Sequence, residues 1–176
     1  GVQTCALPIC FQYDDGYTIE RYQATGGYQA LRAALGRTPG EVHEEVKAAN
    51  VLGRGGAGFP AGTKWGLMPA GKFPRYLVVN GDESEPGTYK DRLLMERDPH
   101  QLIEGCLIAA YAAGLAQVFL YIRGEMPLAH ERVGQALNEA YAAGLVGKNI
   151  LGSGFSVDIV LHWGAGAYVV GEETAL

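Results

Sequence analysis

The sequence has few cationic residues and no long apolar run. Its 14 lysines and arginines stand against 19 aspartates and glutamates, which leaves a formal net charge of −5. This balance gives no electrostatic case for binding nucleic acid or an anionic membrane surface. The longest apolar run extends only from Leu107 to Ala116, which is too short to cross a bilayer, and no secretory signal pattern opens the sequence. We therefore expect neither nucleic acid as a partner nor direct membrane insertion.

Cysteine is scarce, and two of the three cysteines lie in a segment that we set aside. Residues 1–10, which begin GVQTCALPI, resemble the translation of a sequencing-adapter oligonucleotide, so we interpret them as non-native. Cys5 and Cys10 are therefore given no part in a metal site or a disulfide. Cys106 lies in an apolar helical pattern and is predicted to be a buried, unreactive thiol, which fits a reducing compartment.

Glycine, by contrast, is abundant. It accounts for 26 of the 176 residues, roughly twice its usual share. Such a content predicts many tight turns, or places where the backbone approaches a ligand closely. With 48% hydrophobic residues, the chain is long enough to bury one ordinary core, so we expect one main domain.

Capping signals and hydrophobic periodicity predict three helices. Residues 38–41 (TPGE) form a capping box that opens a helix ending near residue 49. Residues 98–101 (DPHQ) and Pro127 open two longer helices with apolar side chains at helical spacing. Both of these longer helices are predicted to end in the same glycine cap. The pentapeptide YAAGL carries that cap at residues 111–115 and 141–145.

Three short β-rich runs predict strands at residues 75–80, 117–122 and 157–162. Because helices alternate with these strands, the predicted fold class is α/β, with a Rossmann-like parallel sheet and flanking helices. We divide the rest of the chain into a helical lead-in at residues 11–50 and an α/β domain at residues 51–176.

The most unusual stretch, residues 53–65, reads GRGGAGFPAGTKW. Its first glycines satisfy the GxGxxG fingerprint, in which bare backbone N–H groups approach a phosphate. In a Rossmann unit, however, the loop leaves a strand and enters a helix, whereas here a predicted helix comes first and the strand follows. A P-loop is also excluded, because its lysine directly follows a glycine, whereas Lys64 follows Thr63. A flexible glycine hinge is the alternative, but it leaves Arg54 and Lys64 unexplained.

Two further segments follow predicted strands. Residues 80–88 (NGDESEPGT) place three carboxylates after the first strand, and residues 164–173 (GAGAYVVGEE) follow the third. The carboxyl ends of parallel strands share one edge, where open α/β sheets bind their ligands. A carboxylate there can accept the hydroxyls of a ribose or ribityl chain, or it can hold Mg²⁺. The alternative for residues 80–88 is a solvated acidic turn before a helix.

These motifs resemble one known family. GRGGAGFPAGTKW, YLVVNGDESEPGTYKDR, HQLIEGCLIAAYAAG and GKNILGSGFSVDIVLHWGAGAYVVGEETAL are similar, in order and spacing, to the 51 kDa flavin-binding subunit of NADH-quinone oxidoreductase, respiratory complex I. The similarity covers about residues 17–176. It implies an FMN-dependent NADH dehydrogenase module, which accepts hydride from NADH onto FMN and passes electrons to iron–sulfur clusters and ultimately to quinone. The same module occurs in diaphorase subunits of NAD-linked hydrogenases and formate dehydrogenases, which are the alternative within this family.

The resemblance also implies roles for individual residues. None is expected to be catalytic by proton transfer, because the flavin carries the chemistry and the protein orients it. The residues expected to bind FMN are Gly53, Arg54, Gly55, Gly56, Gly58, Lys64, Asn80, Asp82, Ser84, Tyr168, Gly171 and Glu172. Those expected to contact NADH are Phe59, Glu85 and Glu173.

Other expectations concern the assembly. Members of the family continue with cysteines that hold a [4Fe–4S] cluster, and Cys106 cannot stand in for four thiolates. We therefore expect an N-terminal fragment that holds no metal and does not reduce quinone alone. The implied partners are the other peripheral-arm subunits of complex I, especially the small [2Fe–2S] subunit. The implied location is cytoplasmic, at the inner face of the bacterial plasma membrane.

Two hypotheses from other classes stay open at this point. The first is a Mg²⁺-dependent phosphoryl-transfer enzyme, in which the glycine-rich loop holds phosphate and Asp82, Glu83 and Glu85 hold the metal. The second is a non-catalytic piece that binds neither flavin nor NADH. Binding of FMN discriminates the predicted function from both.

Overall fold

Three parallel strands form one sheet in the computed structural model, which describes residues 8–172 and 175–176. The strands are β1 (Tyr76–Gly81), β2 (Gln117–Ile122) and β3 (Asp158–Trp163), in the spatial order β1-β2-β3. Each strand pairs in register with the next, so Val79 lies opposite Leu120 and Leu120 lies opposite Leu161. The predicted α/β fold and all three predicted strands are confirmed, with the first and third displaced by one residue.

Seven helices accompany the sheet within the described residues. Their bounds are α1 Ile19–Ala24, α2 Gln29–Leu35, α3 Pro39–Ala48, α4 Ala61–Gly66, α5 Lys90–Arg97, α6 Pro99–Ala113 and α7 Pro127–Ala142. Short 3₁₀ turns occur at Ile9–Gln12, Ile150–Gly152 and Tyr168–Gly171. The connection from β1 to β2 contains α5 and α6, and the connection from β2 to β3 contains α7. Helices α6 and α7 pack against one face of the sheet.

Local signals account for the helices that the sequence predicts. The Thr38 side chain accepts a hydrogen bond from the Glu41 N–H while the Glu41 carboxylate accepts one from the Thr38 N–H, so the capping box of α3 is complete. Gly114 and Gly144 both have positive φ, which ends α6 and α7 with the predicted glycine cap. Asp98 is the N-cap residue of α6 and Pro99 its first residue, as predicted, although the Asp98 side chain makes no capping hydrogen bond.

The two faces of the sheet differ in their burial. Val118, Leu120 and Ile159 are buried beneath α6 and α7. On the opposite face, Tyr76 and Val78 of β1 are 54% and 53% exposed. The core of the described chain therefore lies between the sheet and its helices on one side only.

Both described cysteines belong to this core. Cys106 is buried on α6, which confirms the predicted burial, and desolvation raises the pKa of its thiol to about 12. Cys10, which the sequence reasoning set aside, is also fully buried, with its Sγ 3.6 Å from Thr25 Oγ1. Cys10 therefore packs against the rest of the chain, whereas Ile9 beside it is exposed. The domain boundary placed at residue 10 stays a prediction.

A buried polar cluster fastens the N-terminal helices to the core. The Glu104 carboxylate on α6 accepts hydrogen bonds from the Tyr22 hydroxyl and from the Tyr28 and Leu31 N–H groups. His100, one turn earlier on α6, is hydrogen-bonded to the Tyr28 hydroxyl at 2.8 Å. Burial lowers the pKa of His100, so its neutral form is favoured. We call these five residues the buried cluster.

No helix in the described part of the chain combines the length and apolar character needed to cross a membrane.

Candidate functional site

Three loops meet at the carboxyl edge of the sheet and enclose an open cleft of about 760 Å³. We call them the glycine loop (residues 53–58), the acidic loop (residues 80–85) and the third loop (residues 164–172). Their convergence follows from the parallel topology, since β1 leads directly into the acidic loop and β3 into the third loop. Ten of the predicted site residues line this cleft, namely Arg54, Gly55, Gly56, Asn80, Asp82, Ser84, Glu85, Tyr168, Gly171 and Glu172.

Four other predicted residues that the structure describes do not line it. Gly53 and Phe59 lie at the base of the glycine loop, where the Gly53 N–H donates to the Phe59 carbonyl at 2.9 Å, and Gly58 lies between them. Lys64 lies on α4, one turn beyond the loop. Glu173 falls outside the described residues. Because lining the cleft does not itself show binding, the roles of all fifteen predicted site residues stay predictions.

The backbone of the glycine loop is bare on the side of the cleft. A Cβ added at Gly55 or Gly56 would meet no atom within 4 Å. The φ angle of Gly56 is +121°, a conformation that L side chains rarely adopt. Glycine is therefore required at residue 56 by the turn. At residue 55, packing within the chain gives no reason for glycine, and the open space is what a ligand against the backbone would need.

The acidic loop and the third loop are joined by hydrogen bonds and close packing. Asn80 Oδ1 accepts from the Asp82 N–H at 3.0 Å, and Asn80 Nδ2 donates to the Gly171 carbonyl at 2.7 Å. A Cβ at Gly171 would lie 3.0 Å from the Asp82 carbonyl oxygen. Glycine at residue 171 thus permits the contact, and Asn80 connects both loops.

Asp82 has one occupied and one partnerless carboxylate oxygen. The Ser84 hydroxyl donates to Asp82 Oδ2 at 2.6 Å. Asp82 Oδ1 is buried and accepts no hydrogen bond from the protein. A buried polar atom without a partner costs free energy. Because Oδ1 has no exposed surface in this structure, a ligand hydroxyl or N–H group in the cleft would supply the missing donor only after a shift of the acidic loop.

Glu83, the next residue, has a different role. Its carboxylate accepts the N–H groups of Asp91 and Arg92 at 2.9 Å each, and it lies 3.6 Å from Lys90 Nζ. It therefore caps the N-terminus of α5, where a negative charge is favourable. Within residues 8–172 and 175–176, no group of three metal-binding side chains lies close enough to hold an ion. The magnesium hypothesis based on Asp82, Glu83 and Glu85 gains no support from this arrangement.

Glu85 and Tyr168 face each other across the cleft. The Tyr168 hydroxyl donates to Glu85 Oε2, and this hydrogen bond raises the pKa of Tyr168. Tyr168 is 65% exposed, so the contact lies at the mouth of the cleft rather than in its floor.

Sequence reasoning missed several residues of the cleft. Thr88, Lys90, Asp91 and Val169 also line it. Lys90 adds a cation at the start of α5, where it pairs with Asp91 at 2.8 Å. Thr88 and Val169 lie inside segments that the sequence had already indicated, and Lys90 and Asp91 lie just beyond one of them.

The fold and the cleft define the class of protein: an α/β domain that offers a glycine loop and carboxylates to a ligand at the carboxyl edge of a parallel sheet. The sequence profile of the Nuo51 FMN-binding domain, from the 51 kDa subunits of complex I, matches residues 46–176. The chain belongs to this family, and the family assignment made from the sequence motifs is confirmed.

Individual relatives agree with this assignment. An NADH-quinone oxidoreductase F subunit of Rhizobium meliloti (strain 1021) is 56% identical over 92% of this chain and 39% of its own length. The NADH-quinone oxidoreductase F subunit of Aquifex aeolicus (strain VF5) is 51% identical over 91% of this chain and 38% of its own length. The chain thus spans about two fifths of the curated relatives it matches.

A solved structure shares the fold. The crystal structure of an NAD⁺-reducing [NiFe]-hydrogenase in the air-oxidized state superimposes with a TM-score of 0.70 and 34% sequence identity. The match covers 89% of this chain and 26% of that chain. The likeness therefore extends to a second kind of assembly, which the sequence resemblance had also implied.

Proposed function

We propose that the chain is the FMN-binding part of an NADH dehydrogenase module, as in NADH-quinone oxidoreductase. The observation that carries this proposal is the pairing, in one cleft, of a bare glycine backbone with the partnerless Asp82 Oδ1. A flavin mononucleotide has a phosphate for the first and hydroxyl and ring N–H donors for the second. The family match supports the choice of this ligand.

The glycine loop would hold the phosphate. Its N–H groups can approach an anion because no side chain at Gly55 or Gly56 intervenes, and Arg54 adds a charge at the same wall. Gly53 and Gly58 would shape the loop from its base. Lys64, one turn into α4, would contribute a second cation toward the flavin.

The acidic loop would orient the rest of the cofactor. Asn80, Asp82 and Ser84 offer amide, carboxylate and hydroxyl groups to its ribityl chain and ring. Asp82 can accept through Oδ1 without giving up its bond from Ser84. Asn80 is already bonded to Gly171, so it would act in part by holding the third loop in place.

NADH would enter beside the cofactor. Phe59, which is 46% exposed, would provide a ring for stacking, and Glu85 would accept hydroxyls of the dinucleotide. Glu85 would first have to exchange its bond from Tyr168 for one from the ligand. Tyr168, Gly171 and Glu172 would line the space shared by both molecules, and a contact from Glu173 stays part of the proposal.

When bound, FMN supplies the acceptor for the two electrons of NADH and can release them singly. The chain's own contribution is to bind, orient and exclude water. No side chain is proposed to transfer a proton, because the cleft needs only to hold the two reactants face to face.

The assembly follows from the relatives' names and belongs to the same proposal. Partners would be other complex I subunits, with the small [2Fe–2S] subunit as the expected neighbour, and the site would lie at the cytoplasmic face of the plasma membrane. A [4Fe–4S] cluster is expected only in the longer part that the relatives possess. The structural likeness to the NAD⁺-reducing enzyme fits the alternative assembly, an NAD-linked hydrogenase, but it is less specific than the similarity to the complex I subunits.

The experiment is an FMN titration of the chain, followed by flavin fluorescence. Wild-type protein is expected to bind one FMN, and Gly55→Ala is expected to weaken binding by about 10-fold or more, because its methyl group occupies the space meant for the ligand. The matched control is Gly105→Ala, on the exposed side of α6, where an added Cβ also meets nothing within 4 Å.

Two results would contradict the proposal. If the folded wild-type chain binds no FMN, the proposed function is excluded, and the phosphoryl-transfer and non-catalytic hypotheses remain. Equal affinity in Gly55→Ala and Gly105→Ala would show that the glycine loop does not hold the ligand.

A further inference from the structure

Arg123 lies at the point where the acidic loop and the third loop approach each other. It directly follows β2, the central strand, and its N–H donates to the Gly81 carbonyl at 3.3 Å. On the other side of β2, the Gly164 N–H donates to the Ile122 carbonyl at 2.8 Å. The backbone ladder thus places Arg123 between the beginnings of the two loops.

The Arg123 side chain binds the backbone of the acidic loop without lining the cleft. Its Nη1 donates to the Glu83 carbonyl oxygen at 3.1 Å. The Glu83 carboxylate is held separately by the N-terminus of α5. Glu83 is therefore fixed at both its backbone and its side chain, and it lines the cleft together with Asp82 and Glu85. Arg123 itself lies outside the cleft lining.

The same guanidinium pairs with Glu125, which lies beside the third loop. Arg123 Nε and Nη2 donate to the two Glu125 oxygens at 3.0 and 3.4 Å. A Cβ at Gly166 would lie 3.3 Å from Glu125 Oε1, and one at Gly124 would lie 2.3 Å from the Gly164 carbonyl oxygen. The segment after β2 thus packs closely against the third loop at Gly124, with the Glu125 carboxylate near Gly166.

We propose that Arg123, through the Glu83 carbonyl and the Glu125 carboxylate, is a positioning residue that sets the spacing between the acidic loop and the third loop. This inference rests on the proposed FMN site, since it concerns the geometry of the same cleft. Loss of Arg123 displaces Asp82 and Glu85 relative to Tyr168 without removing any group that touches the ligand.

The test combines hydrogen exchange without ligand and FMN titration. In Arg123→Ala, amides of residues 80–88 and 164–172 are expected to exchange faster, and FMN binding is expected to weaken by about 10-fold, the order expected for a lost charge-assisted hydrogen bond. Arg123→Lys keeps the charge but cannot serve both acceptors as a planar fork, so it should restore part of the affinity. The matched control is Arg92→Ala, which removes an arginine paired with Glu96 on α5.

A double-variant cycle separates positioning from general loss of stability. Because both contacts hold the same two loops, the effects of Arg123→Ala and Tyr168→Phe on FMN affinity are expected to be non-additive. If Arg123→Ala does not fold, Glu125→Gln carries the test, with a smaller loss of about 3-fold, since it weakens one of the two contacts.

Several outcomes overturn the inference. Exchange and affinity equal to those of Arg92→Ala would exclude a positioning role. Weaker FMN binding with unchanged hydrogen exchange would show that Arg123 contacts the ligand directly. Faster exchange spread evenly over the chain would show that Arg123 stabilises the fold in general. Absence of FMN binding in wild-type protein would contradict the proposed function, while the exchange measurement would still decide whether Arg123 holds the loops together.

Discussion

Two acidic side chains, Glu104 in the helical layer and Asp82 in the cleft, have opposite hydrogen-bonding environments. In the helical layer, Glu104 is only 6% exposed, yet its carboxylate accepts three hydrogen bonds from the buried cluster. In the cleft, Asp82 Oδ1 is buried without any partner. A carboxylate with its donors supplied by the protein stabilises the fold, whereas one that lacks a donor beside an open cleft is suited to a ligand.

Asp98 shows that a partnerless oxygen alone does not identify a site. Its Oδ1 also lacks a hydrogen bond, and the residue is 2% exposed. Desolvation raises the pKa of Asp98 to about 6, so the carboxyl group can reduce the cost of burial by taking up a proton. Asp98 does not line the cleft. The cleft, rather than the missing bond, therefore distinguishes Asp82.

The largest expected effect is on the stability of the helical layer. Glu104→Ala leaves the Tyr22 hydroxyl and the Tyr28 and Leu31 N–H groups without their acceptor, so the free energy of unfolding should fall by about 4 kcal/mol. Urea unfolding measures this. Glu44→Ala is the control, because Glu44 is an exposed residue 3.8 Å from Lys47 and its loss should leave the urea midpoint unchanged. A similar midpoint shift in both variants would refute the role of the buried cluster.

A second effect on stability depends on pH. The pKa of Asp98 is raised in the folded state to about 6, so its contribution is favourable below the unfolded pKa near 4 and is lost as the pH rises through about 6. Asp98→Asn cannot ionise, so it should be more stable than wild type by about 2–3 kcal/mol at pH 8. This advantage should shrink below pH 6 and vanish near pH 4. Urea unfolding across this range checks it, and a pH-independent difference would contradict the buried carboxyl account.

In the cleft, substitution should change binding and leave stability nearly unaltered. Asp82→Asn keeps the shape of the side chain but removes the charge, so FMN affinity should fall by about 10-fold, as expected for a lost charge-assisted bond. Fluorescence titration measures the affinity and urea unfolding provides the control. A large loss of stability with unchanged affinity would place Asp82 with the structural carboxylates.

The smallest expected effect is that of Tyr168→Phe on stability. The Tyr168 hydroxyl donates to Glu85 at the exposed mouth of the cleft, and exposed contacts of this kind contribute little. The urea midpoint should therefore not change measurably. A clear downward shift would show that the mouth of the cleft is part of the cooperative fold.

The sequence predicted the elements whose signals are local. The α3 capping box, the glycine caps of α6 and α7 and the three strands all depend on residues within a few positions of one another. The short helices α1 and α2 were not individually predicted, because distant side chains stabilise them. Glu104, for example, accepts from the N–H groups of Tyr28 and Leu31 more than 70 residues earlier.

Local patterns predicted the site by segment but not by side chain, and the individual residues that line the cleft were named from the family resemblance. The three loops were selected because two follow strands and one is bare of side chains. Asp82 and Glu83 are neighbours in the same acidic run, and only the position of α5 separates a ligand candidate from a helix cap. Arg123 gave no signal, because its partner Glu83 lies 40 residues away.

The most direct measurement is an FMN titration of wild-type, Asp82→Asn and Glu104→Ala chains under conditions in which all three are folded. We expect the wild-type chain to bind one FMN and Asp82→Asn to bind it about 10-fold more weakly. Glu104→Ala should bind FMN with wild-type affinity despite its lower stability. Failure of the folded wild-type chain to bind FMN, or equal losses of affinity in the two variants, would contradict the central claim that the cleft binds flavin separately from the buried cluster.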